Sequence, residues 1–269
     1  MSTGTGGLRG RTLEHAVERT ILILASRETV FRFFTDPQRF ATWWGAGSSI
    51  DARPGGAVAI RYPDGQTASG EVLEISPPSH IVFSYGYDAP GKPIAPGGSV
   101  VRVDFEERRG GTLLTLRHEV DTAKARDAHV AGWRFQLALF SNVVANEVNA
   151  GLAGVLDRYF DAWNGRTAEE RARFLDASVT DDVTFRDAYA ALVSRAELEQ
   201  HLALVQVHMP GLTLKRAGEP RQCQGTGVVD WVARGADDAI RASGTNVFDL
   251  AADGRLARVV GLRGGPATP

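Results

Sequence analysis

Between Pro54 and Gly111 the chain is interrupted again and again by residues that reverse a backbone: Pro54-Gly55-Gly56, Pro63-Asp64-Gly65, Pro77-Pro78, Pro96-Gly97-Gly98 and Gly110-Gly111. Gly supplies left-handed conformations and Pro fixes φ, so this stretch is committed to short strands joined by turns, the pattern of an antiparallel meander. Ile81, Phe83, Tyr85 and Tyr87 share one face of the run from His80 to Tyr87, and Val101, Val103 and Phe105 share one face of Val100 to Glu106. A sheet with so apolar a face has to be covered. The cover is legible further on, where Val130, Trp133, Leu137, Phe140 and Val144 recur at helical spacing from about Arg126 to Val148.

Ahead of the meander, a strand-like run from Val17 to Leu24 leads to Ser26, an N-cap for a first short helix, and to Asp36-Pro37, an N-cap and first-turn proline for a second. The stretch FRFFTDPQRFATWWG, beginning at Phe31, holds six of the chain's 22 aromatic residues (12 Phe, 5 Trp, 5 Tyr). Such a cluster either fills a core or walls an apolar pocket, with Trp43 and Trp44 expected near its mouth. The candidate ligand-contacting residues here are Phe34, Trp43, Trp44, Phe83 and Phe105, with Trp133, Leu137 and Phe140 from the long helix. Tyr85, Tyr87 and His118 are the polar candidates beside them.

After about Ala150 the pattern changes. Leu152, Val155, Leu156, Tyr159, Phe160 and Trp163 mark an amphipathic helix ending at Asn164-Gly165. Thr167-x-x-Glu170 and Ser194-x-x-Glu197 read as capping boxes of two further helices, with a short strand at Val183 to Arg186 between them. Strand-like runs follow at 212–218, 222–234, 239–250 and 255–263. The expected fold class is α+β in two domains. An antiparallel helix-grip sheet with a long C-terminal helix occupies 15–149 and an α+β cone 150–264, with tails at 1–14 and 265–269.

Charge excludes one class of partner. With 30 Lys+Arg against 32 Asp+Glu and a net charge of −2, the chain lacks the basic excess that phosphate backbones require, so no nucleic-acid partner is expected. The single cysteine, Cys223, precludes an internal disulfide and a multi-cysteine metal site, and fits a reducing compartment such as the cytoplasm. No apolar run approaches the roughly 18 residues of a membrane span. The histidines show no HxH or HExxH spacing, so no metal site and no cofactor is expected. The GTGGLRG run near the start follows no strand and does not complete a dinucleotide fingerprint.

One polar constellation stands out in the second half. With a loop at Gly235 to Asp238 that sets Arg234 opposite Ala239, one strand face carries Val229, Trp231, Ile240, Ala242, Phe248 and Leu250, and the other Asp230, Arg241, Ser243, Thr245 and Asp249. Asp230 and Arg241 are expected to pair on that outer face. Asn246 interrupts the apolar face, and its amide needs partners if buried, since an unsatisfied polar group costs about 1–3 kcal/mol. Tyr159, on the core side of its helix, and Asp187, at the end of the short strand, converge on the same region. A carboxylate with two hydrogen-bond donors suits proton abstraction next to a carbonyl, with Asp187 as base and Tyr159 and Asn246 as donors to the enolate oxygen. The bland alternative is that Asp187 caps a turn, Tyr159 packs and Asn246 satisfies backbone. Trp163, Phe185 and Trp231 are the apolar ligand contacts expected here.

FFTDPQRFATWWG, GEVLEISPPSHIVFSY and GWRFQLALF make the first half resemble the SRPBCC/START superfamily, in the branch of the activator of heat-shock chaperone ATPase. That resemblance implies a helix-grip fold. It leaves function open among lipid carriers, polyketide aromatases, stress proteins and co-chaperone domains. LDRYFDAWNGRT, DDVTFRDAY and TNVFDLAADGRL make the second half similar to SnoaL-like members of the nuclear transport factor 2 superfamily, to which ketosteroid isomerase belongs. The resemblance implies that the isomerase's oxyanion-donating tyrosine corresponds to Tyr159, its general base to Asp187 and its protonated aspartate donor to Asn246, a weaker donor. The leading expectation is a two-domain protein binding apolar or polyketide-like small molecules. The alternative is a cofactor-independent isomerase or cyclase, and a chaperone-ATPase regulator acting through the first domain is the least favoured. The similarity also implies a homodimer through the polar outer face of the second sheet.

Overall fold

The computed structural model describes residues 13–108 and 110–264; the expected tails therefore lie, apart from residues 13 and 14, outside the described residues. The fold is α+β, and the chain divides into two units, Met1–Val144 and Ala145–Pro269.

In the first unit, β1 (His15–Ile23) is followed by α1 (Arg27–Arg32) and α2 (Pro37–Trp44). The strands β2 (Ser49–Ile50), β3 (Ala57–Arg61), β4 (Thr67–Ser76), β5 (His80–Tyr85), β6 (Ser99–Arg108) and β7 (Gly111–Val120) then lead into α3 (Ala123–Val148). The seven strands form one antiparallel sheet in the order β1-β7-β6-β5-β4-β3-β2, a meander that β1 closes by pairing with β7. The caps form as their sequences dictate: Ser26 accepts from Thr29 N, and Asp36 from Gln38 N and Arg39 N. At the β6–β7 turn Gly111 has φ 149°, and a Cβ there would collide with the carbonyl of Ile23, so the position admits only glycine. The buried stripe of α3 is Ala125, His129, Trp133, Gln136, Leu137, Phe140 and Val144. Val130, expected on that stripe, is only half-buried, and His129 takes the inward position because Tyr87 and the Ala125 carbonyl satisfy its ring nitrogens.

The second unit runs α4 (Leu152–Asn164), α5 (Ala168–Asp176), β8 (Val179–Arg186), β9 (Ala191–Leu192), α6 (Arg195–His208), β10 (Thr213–Cys223), β11 (Thr226–Arg234), β12 (Ile240–Leu250) and β13 (Leu256–Arg263). Its sheet order is β10-β11-β12-β13-β8-β9, with β13 and β8 parallel. The capping box at Thr167 and Glu170 is complete. At Ser194 it is half formed: the hydroxyl accepts from Glu197 N, but the Glu197 carboxylate reaches Val193 N.

Three expectations need correction. β8 begins at Val179, four residues earlier than expected. β10 is continuous to Cys223, because Gly218, at φ 85°, takes up a bulge between Ala217 and Arg221 that reads in the sequence as a break. The β11–β12 loop is tighter than assumed: Gly235 N donates to the Ala239 carbonyl, Asp238 takes φ 62°, and Arg234 lies opposite Ile240. Arg241 is then the extra residue of a bulge. From Ala242 onward the faces are those expected, since the register moves by two residues. Ile240 leaves the core and is 48% exposed. Arg241 pairs with Asp237 at 2.6 Å instead of with Asp230, which accepts from Thr245.

Candidate functional site

The interior of the first unit is a packed aromatic assembly. Phe34 touches Trp43, Phe105 and Phe140 at ring separations of 5.0, 5.2 and 5.1 Å, and Trp43 and Trp44 lie 4.5 Å apart. Trp43 and Trp44 are buried among these rings, not at a mouth, because both flank α2 on its core side. Phe83 and Leu137 are buried with them. The polar candidates are occupied by one another. Trp133 donates its indole N–H to His118 Nδ1 at 2.9 Å, so Nε2 carries the ring proton and donates to Ser99 Oγ at 2.8 Å, and Ser99 donates to the Tyr85 carbonyl. The Tyr85 hydroxyl meets that of Tyr62 at 2.7 Å, and Tyr87 meets His129. Burial, with His129 adding, lowers the His118 pKa to about 3. Ser99 and His118 therefore form no nucleophile–base pair: the ring nitrogen facing the hydroxyl is a donor.

In the second unit a cavity of about 600 Å³ lies between the sheet and the helices α4 and α6, a size suited to a small molecule. Its walls are mostly apolar: Phe160, Phe185, Leu204, Val205, Met209 and Leu214 among them. The C-terminal end of α4 is clamped to β10, since the Asn164 side chain both donates to and accepts from the Leu214 backbone at 2.8 Å. That fixes Tyr159 and Trp163, one turn apart on α4, against the cavity.

The floor is built in rows across the sheet. Val229 pairs with Asn246, and Asn246 with Gly261. Asp187 follows Arg186, the last residue of β8 in register with β13. A Cβ at Gly261 would stand 3.3 Å from Asp187 Cβ and 3.4 Å from Asn246 Oδ1, so the missing side chain is what lets these two polar residues approach. In the next row Trp231 pairs with Gly244, and Gly244 with Arg263; a Cβ at Gly244 would meet Trp231 Cζ2 at 2.6 Å, so the indole lies over that glycine. Asp187, Tyr159 and Asn246 thus all line one cavity, as do Trp163, Phe185 and Trp231.

Asp187 Oδ1 accepts from Tyr189 N at 2.7 Å and Ala190 N at 2.8 Å, which caps the turn after β8. Its second oxygen makes no hydrogen bond within the described residues. Tyr159 is fully buried with no hydrogen-bond partner for its hydroxyl, and the Trp163 and Trp231 indole N–H groups are likewise buried and unpartnered. Burial raises the Tyr159 pKa, the neighbouring Trp163 indole opposes part of that shift, and the Asp187 carboxylate raises it further. The phenol stays protonated, a donor. Asn246 is 5% exposed and its amide has no side-chain hydrogen bond among the described residues. Sequence reasoning did not find His201 and the α6 wall, the mouth residues Tyr189 and Arg263, or the two glycines. The alternation that marks Asn246 as inward also marks Gly244, and it was the available signal. Among the described residues no three His, Cys, Asp or Glu side chains gather as a metal site would need, and no helix is long and apolar enough to cross a membrane.

Residues 24–145 match the family described as Activator of Hsp90 ATPase homolog 1-like protein, and residues 156–259 the SnoaL-like domain. Among solved structures, an AHSA1-like protein of Rhizobium etli is 30% identical over 49% of this chain and 82% of its own, with a TM-score of 0.40. CalU16 of Micromonospora echinospora is 28% identical over 49% and 76%, with a TM-score of 0.39. A SnoaL-like family protein of Agrobacterium tumefaciens is 22% identical over 44% and 99%, with a TM-score of 0.40. No curated protein matches the chain. The first unit is thus similar to Activator of Hsp90 ATPase homolog 1-like proteins, and the second to SnoaL-like domains.

Proposed function

We propose that this chain binds apolar, polyketide-like small molecules and that its second unit moves a proton within the bound molecule without a cofactor. The observation that carries the reading is that Asp187 and Asn246 both flank Gly261, in a cavity that Tyr159 also lines. The turn after β8 holds Asp187 by one oxygen and leaves the other to act as base. It takes a proton from the carbon next to a ketone, the C–H electron pair enters the carbon skeleton, and the carbonyl electron pair moves onto oxygen. Tyr159 and Asn246 donate hydrogen bonds to that developing enolate oxygen. In a ketone with a carbon–carbon double bond one carbon further on, the enolate is a dienolate, and return of the same proton from Asp187 to its far carbon moves the double bond into conjugation, an isomerisation with atoms and charge balanced.

Asp187→Asn keeps the oxygen that caps the turn and removes the base. Deuterium uptake from heavy water into an apolar ketone such as tetralone, followed by NMR, is expected to fall at least about a hundredfold in this variant, with little change in melting temperature. Equal uptake by the variant and the parent protein would end the proton-transfer reading. The second unit is further proposed to self-associate through the outer face of its sheet, where Val228, Val247 and Val260 stand in one row.

A further inference from the structure

The cavity of the second unit is unbalanced in its polar groups. Besides Tyr159, it presents two indole N–H groups, which can only donate, buried and without acceptors. At its mouth stands Arg263, whose only side-chain hydrogen bond among the described residues is to the Tyr189 hydroxyl at 2.8 Å. Arg241, which also lines the cavity, is answered by Asp237, but no carboxylate lies within ion-pair distance of Arg263 among the described residues. Arg263 pairs with Gly244, the residue over which the Trp231 indole lies, and the ring atom nearly in contact there, Cε2, is the one bonded to the indole nitrogen. A guanidinium and an indole N–H edge therefore occupy one row of the sheet, the indole lying over the glycine between them. Paired donors of this kind match the two oxygens of a carboxylate.

We propose that the ligand of this cavity is an apolar ring compound bearing a carboxylate, held at the mouth by Arg263 and Trp231. The carboxylate assignment rests on the cavity being a ligand site, as proposed above, and only the placing of the carbonyl rests on the proton-transfer step as well. Its rings lie among Phe160, Phe185, Leu204 and Val205, and its carbonyl reaches the donors Tyr159, Trp163 and Asn246. Arg263 is two residues along β13 from Gly261, which Asp187 and Asn246 flank, a distance on the order of 7 Å. That is about one ring width between the acid and the reacting carbon, so the substrate class is a cyclic keto acid. The same spacing keeps the bound carboxylate clear of Asp187.

The test compares anthracene carboxylic acid with its primary carboxamide, a neutral molecule of nearly the same shape, by calorimetry on the full chain at neutral pH. The acid is expected to bind about tenfold more tightly than the amide, with the preference shrinking as salt rises. Arg263→Gln should erase the preference by weakening the acid alone, Arg263→Lys should keep part of it, and Trp231→Phe should reduce it. Equal binding of the two probes, or an Arg263→Gln protein that still prefers the acid, would overturn the carboxylate assignment while leaving the cavity reading intact. Failure of both probes to bind would overturn both. An acid preference that persists in an Asp187→Asn protein without proton exchange supports the two readings separately.

Discussion

His118 takes its chemistry from its neighbours. With Nδ1 accepting from Trp133 and Nε2 donating to Ser99, the ring is held neutral, and burial puts its pKa at about 3 against an ordinary value of 6.5. Below about pH 6.5 the unfolded chain gains a proton that the folded chain refuses, so stability is full above that pH and is lost as pH falls toward 3. The expected slope is about 1.4 kcal/mol per pH unit for one histidine, and His129, lowered chiefly by burial, acts in the same direction. Urea unfolding followed by tryptophan fluorescence at pH 7, 6 and 5 should show this slope, and His118→Gln should make it shallower. A slope unaltered by the substitution would assign the effect to other groups. Gly261 is the second residue with a consequence out of proportion to its size. Gly261→Ala introduces a methyl at 3.3–3.4 Å from Asp187 and Asn246. The resulting shift of a few tenths of an ångström should lower deuterium exchange by about tenfold with a small change in melting temperature; exchange at the parent rate would mean that this glycine does not set the spacing. The sequence exposes Asn246 as a polar residue on an apolar strand face, but the importance of Gly261 depends on its facing Asn246 of β12 and Asp187 just after β8.

Elements were legible where their signals are local. The caps at Ser26, Asp36 and Thr167 and the turns of the first sheet sit where the sequence puts them, because each depends on residues within about four positions. The Thr167 capping box ties both of its orphan donors, Glu170 N and Thr167 N, so Thr167→Ala should cost about 1 kcal/mol in a denaturation midpoint measurement. A loss near zero would mean that packing alone holds α5. Two devices escaped the sequence: the bulge that lets β10 pass through Gly218 and Pro220, and the one at Arg241. A bulge adds residues to one strand, two at Gly218 and one at Arg241, and nothing in its own neighbourhood distinguishes it from a turn until the partner strand is in register. The Arg241 bulge also separates that arginine from Asp230, the partner that simple alternation assigned to it.

At the scale of the whole molecule the chain joins two units with different sheets, and the proposed association through the outer face of the second sheet can be measured directly. That face carries the expected Asp230, Ser243, Thr245 and Asp249, and among them the row Val228, Val247 and Val260, with Leu262 exposed beside it. Sedimentation is expected to give twice the chain mass for the parent protein and the chain mass for Val247→Glu; a parent protein at single mass would refute the dimer. The sequence by itself determined the α+β class, the antiparallel meander and its covering helix, and the change of pattern near Ala150, because turn chemistry, capping and the 2.0 and 3.6 periodicities act between near neighbours. Only the tertiary structure decided that Tyr85, Tyr87 and His118 of the aromatic half take protein partners, while the second half holds a cavity lined by unpartnered donors. The physical reason is that a cavity is made by what long-range register sets face to face: glycines on β12 and β13 opposite large or polar side chains, and buried donors on α4 and β11 with no acceptor within reach.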